Sequence, residues 1–212
     1  MTEKTAPQQG GFFFYGMSFL SEWKMYSLFP EELPYPKGFF YLPDFISEKE
    51  EQDLLQVISQ IALQTFTYQG FEAKRRTASF GYDYSFTTGQ LQKGKAIPDA
   101  FHPLLTKVAD HLHLTTAAFQ ELLVTEYPPG SVINWHRDAP PFALIAGISL
   151  NADCTFRLRP FDKAKQKRSA IISVPLLRRS LYIMQHEARS DWQHSIAPVK
   201  EPRYSITLRT LK

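Results

Sequence analysis

The sequence predicts an α+β domain: helices early, a β-rich half late, and the helices backing one sheet of a sandwich. Three observations predict it. A helix-start signal with an apolar stripe behind it occupies residues 47–62. Eight short strand-like runs follow one another from Glu121 onward. And 43% of the 212 residues are apolar, with 17 Phe and 10 Tyr. A chain of this length and composition buries a sizeable core and does not read as disordered.

The elements follow in order. Residues 1–37 form an irregular lead whose Phe12-Phe13-Phe14-Tyr15, Phe19 and Trp23 are too apolar to leave in water; they are expected to pack on the core as an N-terminal extension. Ser47-Glu48-Lys49-Glu50 is a capping box, in which Ser47 caps a helix and Glu50 answers back. Leu54, Leu55, Val57, Ile58, Ile61 and Ala62 then fall on one helical stripe. A second helix is expected from about Pro98 to Leu112, with Phe101, Leu104, Leu105, Val108 and Leu112 inward. From Glu121 come LLVTEY, SVINWH, LIAGISL, CTFRLR, SAIISVPL, SLYIMQ, QHSIAPV and RYSITLRTL, broken by Pro, Gly, Asn, Asp and charged residues. Many short strands at close spacing indicate a double sheet or a barrel.

Composition also limits function. No run of eighteen apolar residues exists, so a membrane span is not expected. MTEKTAPQQG lacks the basic-then-apolar order of a secretion signal. The single cysteine, Cys154, excludes an internal disulfide and has no neighbour that would activate it. A cytoplasmic protein is expected. The net charge is +3 and the sequence pI about 8.9. Basic residues cluster at Lys74-Arg75-Arg76, from Lys163 to Arg168 and at Arg178-Arg179, which allows a polyanionic partner.

The chemistry centres on NWHRDAP, residues 134–140. Side chains two apart on an extended chain face the same side, so His136 and Asp138 both point inward if the chain there is extended. Imidazole with carboxylate suits a divalent transition metal. Two histidines and one carboxylate leave coordination positions open for non-haem iron(II) and oxygen chemistry. The second histidine comes from the remaining five. His102, His111 and His113 lie in or beside the second helix and read as structural or surface residues. His194 opens a strand-like stretch and is favoured; His186, in a charged turn, is the reserve. In the final strand Arg203, Ser205, Thr207 and Arg209 share one face, and Tyr204, Ile206 and Leu208 the other. Inward arginines are costly unless anions pair them, so both could lean toward one dicarboxylate. The competing reading is an edge strand with outward arginines.

His-x-Asp, a histidine 56 residues after the aspartate, an arginine nine residues later and another six beyond it make a specific arrangement. It resembles the AlkB family of Fe(II)- and 2-oxoglutarate-dependent dioxygenases. The matching residues are Tyr127-Pro128-Pro129-Gly130, His136-Arg137-Asp138, Gly147-Ile148-Ser149-Leu150, His194-Ser195-Ile196 and Arg203-Tyr204-Ser205-Ile206-Thr207-Leu208-Arg209, over about residues 38–211. The resemblance implies a double-stranded β-helix, or jelly roll, with helices on one face, in a dioxygenase domain spanning 38–212. It implies His136, Asp138 and His194 as iron ligands, with 2-oxoglutarate and O₂ as cosubstrates. Arg203 would pair with the far carboxylate of 2-oxoglutarate, and Arg209 would sit near the keto-acid end and the metal. Tyr127 would hydrogen-bond the cosubstrate, and Ser205 belongs with this group. The implied reaction is oxidative N-demethylation.

KRRTASFGYDYSF, residues 74–86, resembles the family segment over the substrate, a lid near 68–90. It offers Arg75, Arg76, Phe80, Tyr82 and Tyr84 as substrate-binding candidates: aromatics for an extruded base, cations for phosphate. An ordinary hairpin completing the core is the competing reading. Ala139-Pro140-Pro141 departs from the family, since repair members follow the metal motif with an acidic residue that addresses the base. Thr125 replaces an asparagine common in repair members. The expected partner is alkylated, single-stranded or flipped-base nucleic acid, met by a monomer. The same chemistry on a protein or small molecule is the alternative.

Overall fold

The computed structural model describes residues 35–68, 71–85 and 88–212. The expected N-terminal extension, residues 12–15 included, lies outside them except for residues 35–37. The first half carries β1 (Phe39–Leu42), α1 (Glu48–Ser59), β2 (Gln64–Tyr68), β3 (Phe71–Ser85), β4 (Gln90–Lys93) and α2 (His102–Leu112). The second half carries β5 (Phe119–Tyr127), β6 (Ile133–His136), β7 (Phe142–Leu150), β8 (Cys154–Pro160), β9 (Ile172–Leu176), β10 (Leu181–Met184), α3 (His186–Ser190), β11 (Trp192–Ile196) and β12 (Arg203–Leu211).

All eight expected late strands form. They divide between an eight-stranded sheet, β1-β10-β7-β12-β5-β3-β2 with β4 on β3, and a four-stranded sheet, β6-β11-β8-β9. This is the jelly-roll architecture. The first half is more β-rich than expected, because β1 to β4 all join the larger sheet. β12 is central, between β7 and β5, which removes the edge-strand reading of its arginines.

Two apolar layers follow from strand alternation. Ile206 and Leu208 of β12, Leu122 and Val124 of β5, and Ile148 of β7 pack with Leu54 and Ile58 of α1 and Leu104, Leu105 and Val108 of α2. Each such side chain contributes roughly 1.5–3 kcal/mol on burial. The opposite faces meet between the sheets, where Phe39, Tyr127, Phe142, Phe156, Leu158, Tyr182 and Ile196 cluster. The capping box is complete: Glu50 N–H donates to Ser47 Oγ and Ser47 N–H to Glu50 Oε2. α2 begins later than expected, after a 3₁₀ turn at Asp99–Phe101, and ends where His113 turns left-handed at φ 55°. Gly147 lets Tyr182 of the next strand lie against β7, since a Cβ there would run into the tyrosine ring.

α1 is tied to the sheets by one carboxylate. Glu51, 1% exposed, accepts from the Asn151 N–H at 2.8 Å and from Arg178 at 2.6 Å. With Arg179 on Asp44 at 2.9 Å, the basic pair at 178–179 is used up in holding the fold. Replacing Glu51 by Ala leaves a buried amide without its acceptor. Charged hydrogen bonds contribute about 1.5–3 kcal/mol each, so Glu51→Ala is expected to cost about 2–3 kcal/mol, read as a lower urea midpoint at unchanged slope.

Candidate metal and dicarboxylate site

The cleft between the sheets collects the residues singled out above. His136, the last residue of β6, stands directly opposite His194 of β11. Directly opposed residues share a face, and the two ring centroids are 4.2 Å apart. Asp138 lies just past the end of β6, and its Oδ2 is 3.5 Å from His194 Nε2. The His136 Nδ1 meets the Asn134 carbonyl at 2.8 Å; a carbonyl only accepts, so Nδ1 is the donor and Nε2 is the nitrogen available to a ligand. Phe156 stacks on the His194 ring at 5.3 Å. His186, the reserve, is exposed at the start of α3, and His102, His111 and His113 are exposed too.

Burial works against charge at both inner groups, with opposite outcomes. At Asp138 it is outweighed by Arg209, His194, His136 and Arg189, which hold the carboxyl well below the usual carboxylate range. At His194 it prevails: burial and then His136 push the imidazole down to about 3 against the pull of Asp138. Near neutrality the pair is therefore carboxylate and neutral imidazole, the protonation state a metal ligand needs. Arg209 closes the arrangement, donating to Asp138 Oδ1 at 2.7 Å and to Glu121 Oε2 at 2.8 Å. Arg189 donates to the backbone carbonyls of Asp138 and Ala139 and fixes the chain just past the motif.

A second set lies further along β12. Arg203 is 1% exposed. Its Nε donates to Ser149 Oγ at 3.1 Å, its guanidinium carbon is 4.8 Å from the centre of the Tyr127 ring, and Nη1 has no partner. The Tyr127 hydroxyl and Ser205 Oγ are 3.4 Å apart. Among the described residues Arg203 has no carboxylate within ion-pair distance. A buried charge left so costs several kcal/mol, which an anionic ligand would offset. The two arginines differ from expectation in one respect. Arg209, opposite Glu121 in the β12–β5 register, already has two carboxylates, whereas Arg203 has none among the described residues. Burial pushes the Cys154 thiol up, in keeping with an inert cysteine.

The substrate-binding candidates separate. β3 is built into the larger sheet, pairing with β5 from Arg76 to Gly81, so over those residues it is not a free lid. Phe80 is 8% exposed and packs on Phe101 beneath the helices. Arg76 pairs with Glu126 on that same side, where Tyr204 also meets Glu126. Tyr82 lines a separate cavity of about 250 Å³ with Phe119 and Ile97. These three are corrected: strand alternation turns Phe80 and Arg76 away from the cleft, and Tyr82 opens elsewhere. Arg75 alternates to the cleft side, stacks 3.9 Å over Phe66 and feels Tyr127. Tyr84 packs against the inter-sheet cluster. Sequence reasoning missed Glu121, Ser149, Phe156 and Arg189. Only the register of β5 on β12 could have flagged Glu121.

The 2OG-Fe(II) oxygenase superfamily model matches residues 38–209. The chain belongs to this superfamily. It is 32% identical over 153 residues to the human DNA oxidative demethylase ALKBH2, covering 65% of this chain and 56% of that protein. It is 29% identical to the Arabidopsis thaliana alkylated DNA repair protein ALKBH8 homolog (80% and 53% covered). With human alpha-ketoglutarate-dependent dioxygenase alkB homolog 3 it shares 27% identity (80% and 64%). The chain thus spans less than two-thirds of each of these relatives. The solved structure of OsALKBH1 superposes with a TM-score of 0.64 over 83% of this chain and 99% of that one, at 12% identity, a likeness of fold.

Superfamily membership brings iron(II) as cofactor and 2-oxoglutarate and O₂ as cosubstrates. The donor set fits. Two donors each about 2.1 Å from a metal stand about 3.0 Å apart at a right angle and further apart when splayed, close to the 3.5 Å between His194 and Asp138. Among the described residues no group of three or more His, Cys, Asp or Glu side chains is placed, as it stands, to hold a metal ion; Asp138 is instead shared between Arg209 and His194.

The titration has a measurable sign. His194 holds its proton more weakly folded than unfolded, so the unfolded chain binds it first and stability drops as pH falls. In metal-free protein the melting temperature is expected to fall between pH 6.5 and about 3, with Asp138 adding loss at lower pH still. His194→Gln should flatten the upper part of this decline. An equally steep decline in that variant would remove His194 as the buried neutral imidazole.

Proposed function

We propose that this protein is an AlkB-like dioxygenase that oxidatively demethylates N-alkylated bases in nucleic acid, with iron(II) held by His136, Asp138 and His194. The observation that carries the reading is Arg203, a fully buried guanidinium without a carboxylate, facing the cleft that holds the three metal-donor side chains. The names of the relatives support a nucleic-acid substrate. When bound, iron(II) with 2-oxoglutarate and O₂ supplies hydroxylation of a C–H bond, with succinate and CO₂ as coproducts. A hydroxylated carbon attached to nitrogen is then lost as an aldehyde.

The chain's own residues divide the remaining work. Arg203 binds the far carboxylate of the keto acid, aided by Tyr127 and Ser205 as hydrogen-bond donors. Arg209 keeps Asp138 ionised and fixes its direction. Phe156 and Tyr182 keep the inner wall dry, so these charges act at low dielectric. Arg75 and Tyr84 stand on the cleft side and address the substrate. The reading includes a monomer in the cytoplasm acting on single-stranded or flipped-out bases. Among the described residues no helix is long and apolar enough to cross a membrane.

A second reading, the same oxidation on a protein or small molecule, is favoured by one feature. Ala139, where repair members carry an acid, is 5% exposed and packed into the inter-sheet cluster, so it offers no carboxylate to a base.

The test supplies iron(II), 2-oxoglutarate, O₂ and methylated single-stranded DNA or RNA, and records succinate and base mass together. One methyl lost per succinate is expected. Succinate with every nucleic acid unchanged would transfer the chemistry to the second reading. His136→Ala should abolish iron binding and succinate formation alike. Arg203→Ala should leave iron binding intact and raise the 2-oxoglutarate requirement about 10- to 100-fold, the equivalent of one charged hydrogen-bond pair; an unchanged requirement would place the dicarboxylate elsewhere.

A further inference from the structure

The outer face of the smaller sheet, behind the metal-donor residues, carries three guanidiniums that the reaction does not use. Alternation puts them there. Phe156 and Leu158 of β8 point inward, so Arg157 and Arg159 point outward. His194 points inward on β11 between Gln193 and Ser195, and Trp135 precedes inward His136 on β6. In the β11–β8 register Ser195 is opposite Arg157 and Gln193 opposite Arg159. Arg157 Nε donates to Ser195 Oγ at 3.0 Å and Arg159 Nε to Gln193 Oε1 at 2.9 Å. Trp135 reaches across β11, and the two guanidinium carbons stand 5.1 and 4.5 Å from its ring centre. Arg137, between the two metal-donor residues of the motif, stacks 3.6 Å over Phe161 and donates to the Ser190 carbonyl at 2.7 Å.

Among the described residues none of these three arginines has a carboxylate partner. Asp162, beside Phe161, gives its carboxylate to Lys165 and to the Ala164 N–H. The anchoring is asymmetric: each of Arg157 and Arg159 spends Nε on the sheet, and neither has a terminal nitrogen hydrogen-bonded among the described residues. A guanidinium held by Nε and flattened on an indole has lost most of its freedom, so little more is lost when its fork takes an anion. The fork matches a phosphate bidentately. Arg137, at the rim of the cleft, joins this face to the site.

We propose that Arg157 and Arg159, set on Trp135, form a track for the phosphates flanking the target nucleotide, leading the strand past Arg137 to the cleft. This rests on the nucleic-acid reading above. It assigns to the outer sheet face a sequence-independent grip on the backbone, separate from recognition of the modified base.

The test compares single strands of about 4 and about 16 nucleotides, one confined to the cleft and one long enough to cross the sheet. Arg157→Gln with Arg159→Gln is expected to weaken the long strand about tenfold at low salt. The slope of log affinity against log salt should shrink by about 1.4, at about 0.7 per lost phosphate contact on single strands. The short strand and 2-oxoglutarate should bind as before. Arg157→Lys with Arg159→Lys keeps the charge and should restore most of the slope, which separates phosphate binding from damage to the fold. Unchanged long-strand affinity and slope, or equal loss for both strands, would overturn the track and leave the nucleic-acid reading standing. If the unaltered protein binds neither strand, as DNA or as RNA, that reading fails and the track with it.

Discussion

One guanidinium organises the cleft. Arg209 is largely buried, donates to Glu121 on the neighbouring strand and to Asp138 beyond β6, and so joins the larger sheet to the His136–Asp138 segment. A charge in that position is tolerable only when neutralised, and its two carboxylates are tolerable only because it is there. Asp138 stays ionised for this reason, and an ionised Asp138 beside a neutral His194 has the protonation states that a metal ligand needs. Arg203, six residues earlier on the same face, has no such partner among the described residues. The contrast between a saturated and an unsaturated arginine divides the cleft into a part that is set in advance and a part whose charge is left open.

Much of this was legible in the sequence because it rests on periods of two. His136 with Asp138, and Arg203, Ser205 and Arg209 against Ile206 and Leu208, announce their faces without knowledge of their neighbours. The capping box at Ser47 and Glu50 is equally local. The misreadings share a cause. Whether Phe80 and Arg76 face the cleft or the helices depends on how β3 registers against β5, and a segment with cations and aromatics on both faces gives no internal sign of it. The importance of Glu121 was hidden for the same reason, since nothing in ELLVTEY says that its first glutamate lies opposite Arg209. The short β1 acquires its meaning from pairing with β10, distant in sequence, whereas β2 and β4 flank β3 as local hairpins.

The loop after the metal motif is also held without an acid. Ala139 is buried among apolar side chains and its carbonyl accepts from Arg189. An arginine from α3 thus fixes the backbone just past Asp138. The departure at residues 139–141 changes what the cleft can say to a substrate without loosening the cleft itself.

The central place of β12 bears on how the molecule comes into being. The strand that carries both arginines sits between β7 and β5, and these two have no other link across the larger sheet. Until it inserts, the sheet exists as two halves with open edges, the helix-facing layer lacks Ile206 and Leu208, and Glu121 has no counter-charge. Ribosomal synthesis delivers this strand after all the others described. The barrel therefore closes only once nearly all of this sequence has emerged, a late and non-local step of the kind that slows folding and lengthens exposure of unpaired edges. The nascent protein passes through a stage in which its most expensive charge has yet to be enclosed, and the completed cleft is the product of β12, the last strand described.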